Sequence, residues 1–241
     1  MSLFRPIPAT QKLPSICVFD LDHTLIGGDV TADWTPYLIK HELIRDLGAF
    51  LKVDEEMERR YHAGNLDIDD YLRQVVPFFG WLTMDALNEH VQRFIDEFIA
   101  HTVYQEGIDA IAQARALGIE VMIISASNAF LVKPVASQLF GIDEAYGVEL
   151  AVRDNHLTAD VIGIAPFQSG KIHCCKRAVA ALGKTLDDVV FFTDSHNDLP
   201  LAHAAGDCIC VNPDPILEKE AQRAGWAIKR WERQVGRNSQ H

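Results

Sequence analysis

SICVFDLDHT, residues 15–24, joins a short apolar run to two carboxylates, Asp20 and Asp22, followed by Thr24. The run is rich in Val, Ile and Phe and has two counterparts downstream, EVMIIS (120–125) and DVVFFT (188–193). Near-continuous apolar runs of this length read as strands covered on both faces. Helical spacing precedes each later run: Ile108, Ile111, Ala112 and Leu117 before the second, then Ile172, Cys175, Val179 and Leu182 before the third. Strand, helix, strand repetition predicts an α/β fold built on a doubly wound parallel sheet with right-handed crossovers. All three runs end on polar residues, namely Asp20, Ser125 and, one step after Thr193, Asp194. Ligands of open parallel sheets sit beyond the carboxyl ends of the strands, so three distant segments converge on one crevice.

From Gly27 to about Tyr104 no strand-like run occurs, which predicts a helical insert over 27–104 between core segments 1–26 and 105–241. TMDALNEHVQRFIDEFIAH (83–101) opens with Thr83 as an N-cap and places Leu87, Val91, Phe94, Ile95 and Phe98 on one stripe. DIDDYLRQVV (67–76) supplies Ile68, Leu72, Val75 and Val76 before Pro77 ends it. DWTPYLIKHELI (33–44) supplies Trp34, Leu38 and Ile44, with Pro36 read as an early helical position. Three or four helices then form a small bundle whose apolar stripe is its own core. YGVELAVRDNHLTADVIG (146–163) has two alternating runs about RDNH and predicts a β-hairpin. GDCICVNPDPIL (206–217) reads as a further strand and turn, and the tail RNSQH (237–241) as frayed.

Among 241 residues, 48% are apolar, which supports a sizeable core. The 34 acidic against 22 basic residues give a net charge of -12, excluding a sequence-independent nucleic-acid binder or an anionic-membrane binder. Of five cysteines, Cys17, Cys208 and Cys210 lie in apolar runs and read as small buried hydrophobes, which fits a reducing cytoplasm. The start, MSLFRPIPATQKLPSI (1–16), has prolines where a signal peptide needs an unbroken apolar stretch. A soluble cytoplasmic protein is expected; its oligomeric state is left open.

Asp20 and Asp22 are joined by Asp194 and Asp198 of TDSHNDLP (193–200), crowding up to four negative charges together. Unneutralised, the cluster repels itself and raises its own pKa values. A hard divalent cation resolves this, and oxygen donors of this kind suit Mg²⁺. Lys171 in SGKIHCC (169–175) adds a fixed positive charge. Two acids one residue apart just past a strand end can both reach one reacting group. One can attack a phosphoryl group while the other handles a proton. Ser125 is expected to donate to the phosphate at a helix N-terminus.

DLDHT, the IISAS strand end, the Lys of SGKIHCC and DSHND resemble, in order, the four motifs of the haloacid dehalogenase (HAD) superfamily of phosphatases. The resemblance implies a Rossmann-like core, Mg²⁺ as cofactor, and a small-molecule phosphate ester as substrate. Asp20 would be nucleophile and metal ligand, Asp22 the general acid/base whose backbone carbonyl also reaches the metal, and Asp194 the third ligand. Ser125 and Lys171 would hold the phosphate, with Asn197 a polar neighbour and Asp198 a supporting acid. The insert resembles the C1 cap of the branch containing phosphoserine phosphatases and some histidinol-phosphate phosphatases. A Glu that the phosphoserine enzymes use is replaced by Asp29, and their cap Arg by Val75. Arg73 is near but faces another side of its helix. Histidinol phosphate, lacking a carboxylate, loses less by this change, and the acidic residues Asp29, Asp67 and Asp69 favour it.

Duller readings exist for each residue: Asp20 and Asp22 as turn caps, Ser125 as a helix cap, Lys171 as a surface charge. His173, Cys174, Cys175 and His196 match no common zinc spacing and read as packing and surface residues. His23 could line the entrance, but the favoured expectation is that it points elsewhere. A phospho-aspartate receiver domain shares the aspartate, Mg²⁺, hydroxyl and Lys but needs neither Asp22 nor a helical insert. A metal-free dehalogenase has no use for Asp22 or the fourth-motif acids, and a binding-only descendant has no reason to keep them all.

Overall fold

The computed structural model describes residues 14–62 and 67–235, so the expectation for the tail 237–241 lies outside the described residues. In chain order the elements are β1 (Ile16–Phe19), α1 (Val30–Lys40), α2 (Leu47–His62), α3 (Ile68–Val75), α4 (Met84–Phe94), α5 (Gln105–Ala116), β2 (Glu120–Asn128), α6 (Ala129–Phe140) and β3 (Ala145–Val148). There follow β4 (Leu150–Arg153), β5 (His156–Val161), α7 (Ser169–Ala181), β6 (Val189–Thr193), α8 (Leu199–Ala204), β7 (Asp207–Val211), α9 (Pro215–Ala224) and β8 (Ala227–Lys229).

Six strands form one parallel sheet in the order β3-β2-β1-β6-β7-β8. Both faces are covered, as the unbroken apolar runs require. Along β1, Cys17 and Phe19 enter the core beneath α5 and α6, while Ile16 and Val18 enter the core beneath α7, α8 and α9. Phe19 is level with Ile123 of β2 and Phe192 of β6, so the residues that follow in all three strands emerge together. That register gathers the site.

Two boundaries differ from the sequence reading. β2 continues to Asn128, three residues past the expected end, and α6 starts at Ala129 with Asn128 as its N-cap. The run 146–152 is divided: β3 joins the main sheet and only β4 pairs with β5 in the hairpin. Gly147 permits the division, because a Cβ there would lie 2.6 Å from Ser127 O and 2.8 Å from Ala129 N. The hairpin turns on Asp154 and Asn155 at φ 49° and 62°, the left-handed pair of a two-residue primed turn.

Among the described residues the insert holds four α-helices. α1 begins well before Pro36, which therefore lies inside the helix rather than in its first turn. The Asp29 carboxylate caps it by accepting from Thr31 and Ala32 N–H, so the start falls at Val30. The expected continuous helix 83–101 is α only to Phe94 and then widens into a π-turn over Ile95–Ile99. Trp34, Tyr37, Phe79 and Phe94 interlock edge to face or stacked at its centre. The insert leaves and re-enters the core side by side: Ile26 bridges Val103, Gly27 N–H donates to Thr102 O at 2.8 Å, and Tyr104 N–H to Leu25 O at 3.0 Å. The hairpin meets the insert where Met84 N–H donates to Asn155 O at 2.8 Å. Among the described residues no helix is long and apolar enough to cross a membrane.

Candidate active site

Asp20 follows β1 directly and its N–H donates to Phe192 O of β6 at 2.9 Å. Lys171, in the first turn of α7, is 2% exposed; its Nζ donates to Asp20 Oδ1 at 3.0 Å and to Asp198 Oδ2 at 2.7 Å. Thr193 Oγ1 donates to the same Asp198 oxygen at 2.7 Å, fixing that carboxylate from β6. Gly170 lets the preceding loop fold back against the start of α7, since a Cβ there would reach within 2.0 Å of Ala165 O. Burial pushes the Asp20 carboxyl well up, with Asp198, Asp194 and Asp22 adding to the rise and Lys171 opposing it. Burial pulls the Lys171 pKa down, yet Asp198 and Asp20 outweigh it and hold the ammonium charged.

Asp22 faces a different set of partners. Its Oδ2 accepts from Ser125 Oγ at 2.9 Å and Ser127 Oγ at 2.8 Å, and its Oδ1 from Val30 N–H at 2.8 Å. Burial, then Asp29, pushes its pKa up to about 6 against the pull of those three donors. Asp194 accepts from Thr24 Oγ1 at 3.2 Å and is likewise raised to about 6, chiefly by burial. Asn197 and Asp198 follow on the short turn His196–Asp198, whose N-cap Ser195 accepts from Asn197 N–H at 3.2 Å.

A cavity of about 560 Å³ lies between the strand ends and the insert. Asp20, Asp22, Lys171, Asp194, Asn197 and Asp198 line one side of it, so the structure brings these predicted residues together. Asp29 also lines it while capping α1. Ser125 is fully buried and outside the lining; it sits inside β2, four residues before α6, and its Oγ serves Asp22. The hydroxyl on the wall is that of Ser127. Sequence reasoning missed it, although side chains two apart on a strand share a face and the strand simply runs further than expected. His23, expected to point away, lines the cavity with φ 55°, and draws down the pKa of Asp194.

On the insert side the wall includes Thr31, Asp54, Met57, Ile68, Tyr71 and Leu72. Asp54, Met57 and Tyr71 were not foreseen. Of the acids expected to favour an amine, Asp67 caps α3 and Asp69 lies 4.0 Å from Arg73 on the exterior; neither lines the cavity. The Arg73 side chain is 65% exposed and Val75 is buried in the core. His173 is exposed, Cys174 and Cys175 are buried, and His196 pairs with Asp214 at 2.8 Å, the packing and surface roles expected. All five cysteines are free and buried. Among the described residues no three His, Cys, Asp or Glu side chains converge on one ion position. The Asp22 carboxylate is turned to the serines and Val30, so the carboxylates that could serve a hard cation beside it are those of Asp20 and Asp194.

The family model described as haloacid dehalogenase-like hydrolase matches residues 17–203. A histidinol-phosphatase of Neisseria meningitidis is 33% identical over 220 residues, covering 90% of this chain and 98% of that one. A Bordetella pertussis protein of unknown function superposes with a TM-score of 0.82 at 25% identity, covering 90% of this chain and 98% of that one. A phosphoserine phosphatase solved as a phospho-aspartyl intermediate analogue shares the fold, with a TM-score of 0.65 at 22% identity over 92% of this chain and 95% of its own.

Proposed function

The chain belongs to the haloacid dehalogenase-like hydrolase family and is a phosphoric monoester hydrolase, and on that premise we propose that Asp20 is the nucleophile of a magnesium-dependent phosphatase. The observation that carries the reading is the buried contact of Lys171 with Asp20 and Asp198, opposite the serine-held Asp22. A buried lysine fixed between two acids at a cavity wall has a ready use as an anchor for a phosphate dianion. Asp20 attacks phosphorus, the ester C–O–P linkage breaks at P–O, and an aspartyl phosphate results. Asp22 gives a proton to the departing alkoxide and then takes one from the water that hydrolyses the acyl phosphate. Its raised pKa suits an acid that works near neutral pH.

Asp20 and Asp194, with the Asp22 carbonyl, would hold Mg²⁺, which supplies neutralising charge to the acids and to the phosphate. Lys171 binds the phosphate with Ser127 and Asn197 beside it. Ser125 orients Asp22, and Asp198 orients Lys171. We read 27–104 as a C1 cap over the 1–26 and 105–241 core, excluding water from the cavity, and the enzyme as cytoplasmic. Histidinol phosphate and phosphoserine are the leading small-molecule substrates, the first named in the Neisseria relative. Phosphate release from a panel of small esters, with Mg²⁺ and with a chelator, tests the reading. Release that the chelator abolishes supports it, and release that the chelator leaves intact contradicts it.

A further inference from the structure

Resting on the phosphatase reading, we infer that Asp54 of α2, with Asp29 and Tyr71, selects a phosphate ester that carries a protonated amine and no carboxylate. Lys171 draws the phosphate to the strand-end wall, so the organic part of the ester faces the insert. The basic side chains among the described lining are Lys171 and His23, both on the strand-end side. On the insert wall the charged groups among the described lining are Asp29 and Asp54. A substrate carboxylate there would meet like charge and find no Arg or Lys among the described insert-side lining, whereas an ammonium would meet acidic acceptors.

Two further observations concern the same wall. Thr31 Oγ1 is buried with no hydrogen-bond partner and belongs to a residue lining the cavity beside Asp29. A buried hydroxyl of this kind is costly to leave unmatched, and a bound N–H donor satisfies it. The Tyr71 phenol lies in the field of both acids: burial raises its pKa first, and Asp54 and Asp29 raise it further. The aromatic face of Tyr71 suits a cation, and Met57, Ile68 and Leu72 complete an apolar floor for the remaining carbon skeleton. Asp54 lines the cavity and its charge acts on Tyr71, so it is the charge to remove. Asp29 also holds the start of α1 and would report on folding as well.

The test compares kcat/KM for histidinol phosphate with that for its deamino analogue, and for phosphoethanolamine with that for phosphoserine, which differs by one carboxylate. Wild-type enzyme is expected to prefer the amine over the deamino ester, and phosphoethanolamine over phosphoserine. In Asp54→Asn the amine preference should shrink by roughly ten- to a hundredfold, mainly through KM, the loss expected for a hydrogen bond to a charged group. Equal loss on both members of the first pair would assign Asp54 a structural role and overturn the inference. So would a wild-type preference for phosphoserine, which needs no variant to measure. Turnover of all four esters without preference refutes the subsite alone; turnover of none refutes the phosphatase reading beneath it.

Discussion

Lys171 Nζ lies 2.7 Å from Asp198 Oδ2 with both side chains buried, and the same ammonium reaches Asp20 at 3.0 Å. This lysine is the cation that balances a cluster of acids. Removing one member of a buried ion pair leaves an uncompensated charge, so Lys171→Met should cost about 3–5 kcal/mol of stability near neutral pH without Mg²⁺. The cost should shrink in acid, where the acids take up protons. Urea denaturation at both pH values measures it. A wild-type midpoint at neutral pH would show that the acids do not need the lysine.

Asp22 and its three donors predict a dependence on the leaving group. Asp22→Asn should slow hydrolysis of alkyl phosphates by about 10²–10⁴-fold, the usual worth of a positioned general acid, and that of p-nitrophenyl phosphate much less. Equal losses would rule Asp22 out as the proton donor. Ser127 lowers the Asp22 pKa by donating to it, so Ser127→Ala should raise that pKa. The alkaline limb of the kcat profile, where Asp22 loses its proton, should move to higher pH; movement to lower pH would contradict the assignment.

The raised carboxyls also set a pH dependence of stability. Asp22 and Asp194 stand at about 6 in the folded chain against an ordinary 3.8, so the fold binds more protons than the unfolded chain between those values. Their contribution is fully present below the ordinary value and is lost as pH rises through about 6. Mg²⁺ bound as proposed would offset that loss. The rise in Tm on adding Mg²⁺ should therefore be larger at about pH 7.5 than at about pH 5. A larger rise in acid would be incompatible with a cation held by these acids.

Gly147 links sequence to site in a way composition does not reveal. Gly147→Ala pushes a methyl against Ser127 O and the start of α6, and should cost about 1–3 kcal/mol by overpacking. Because Ser127 holds Asp22, turnover should fall as well. Differential scanning calorimetry with a turnover assay checks both, and wild-type values in each would contradict the close approach.

The parallel sheet was legible because its strands are buried on both faces and so lack polar interruptions, as Ile16–Phe19 and Val189–Thr193 illustrate. Asp20, Lys171, Asp194 and Asp198 were legible because each follows such a run or opens the helix packed on it. α2 was not: half of its 16 residues are charged or His, and among its described side chains Phe50 and Met57 are the buried ones, seven residues apart. Asp54 was lost with it. The division of 146–152 between two sheets depends on a backbone approach at Gly147, which leaves no periodic trace. Ser127 was hidden by ending β2 too early, at the first polar residue.

In the proposed reaction the phosphoryl group passes through Asp20. The direct measurement is a rapid acid quench of enzyme mixed with an ester labelled in its phosphoryl group, followed by borohydride reduction and peptide mapping. The account predicts label on the protein and homoserine in place of Asp20 after reduction, with neither in Asp20→Asn. Label on another residue, or sustained turnover by Asp20→Asn, would contradict it.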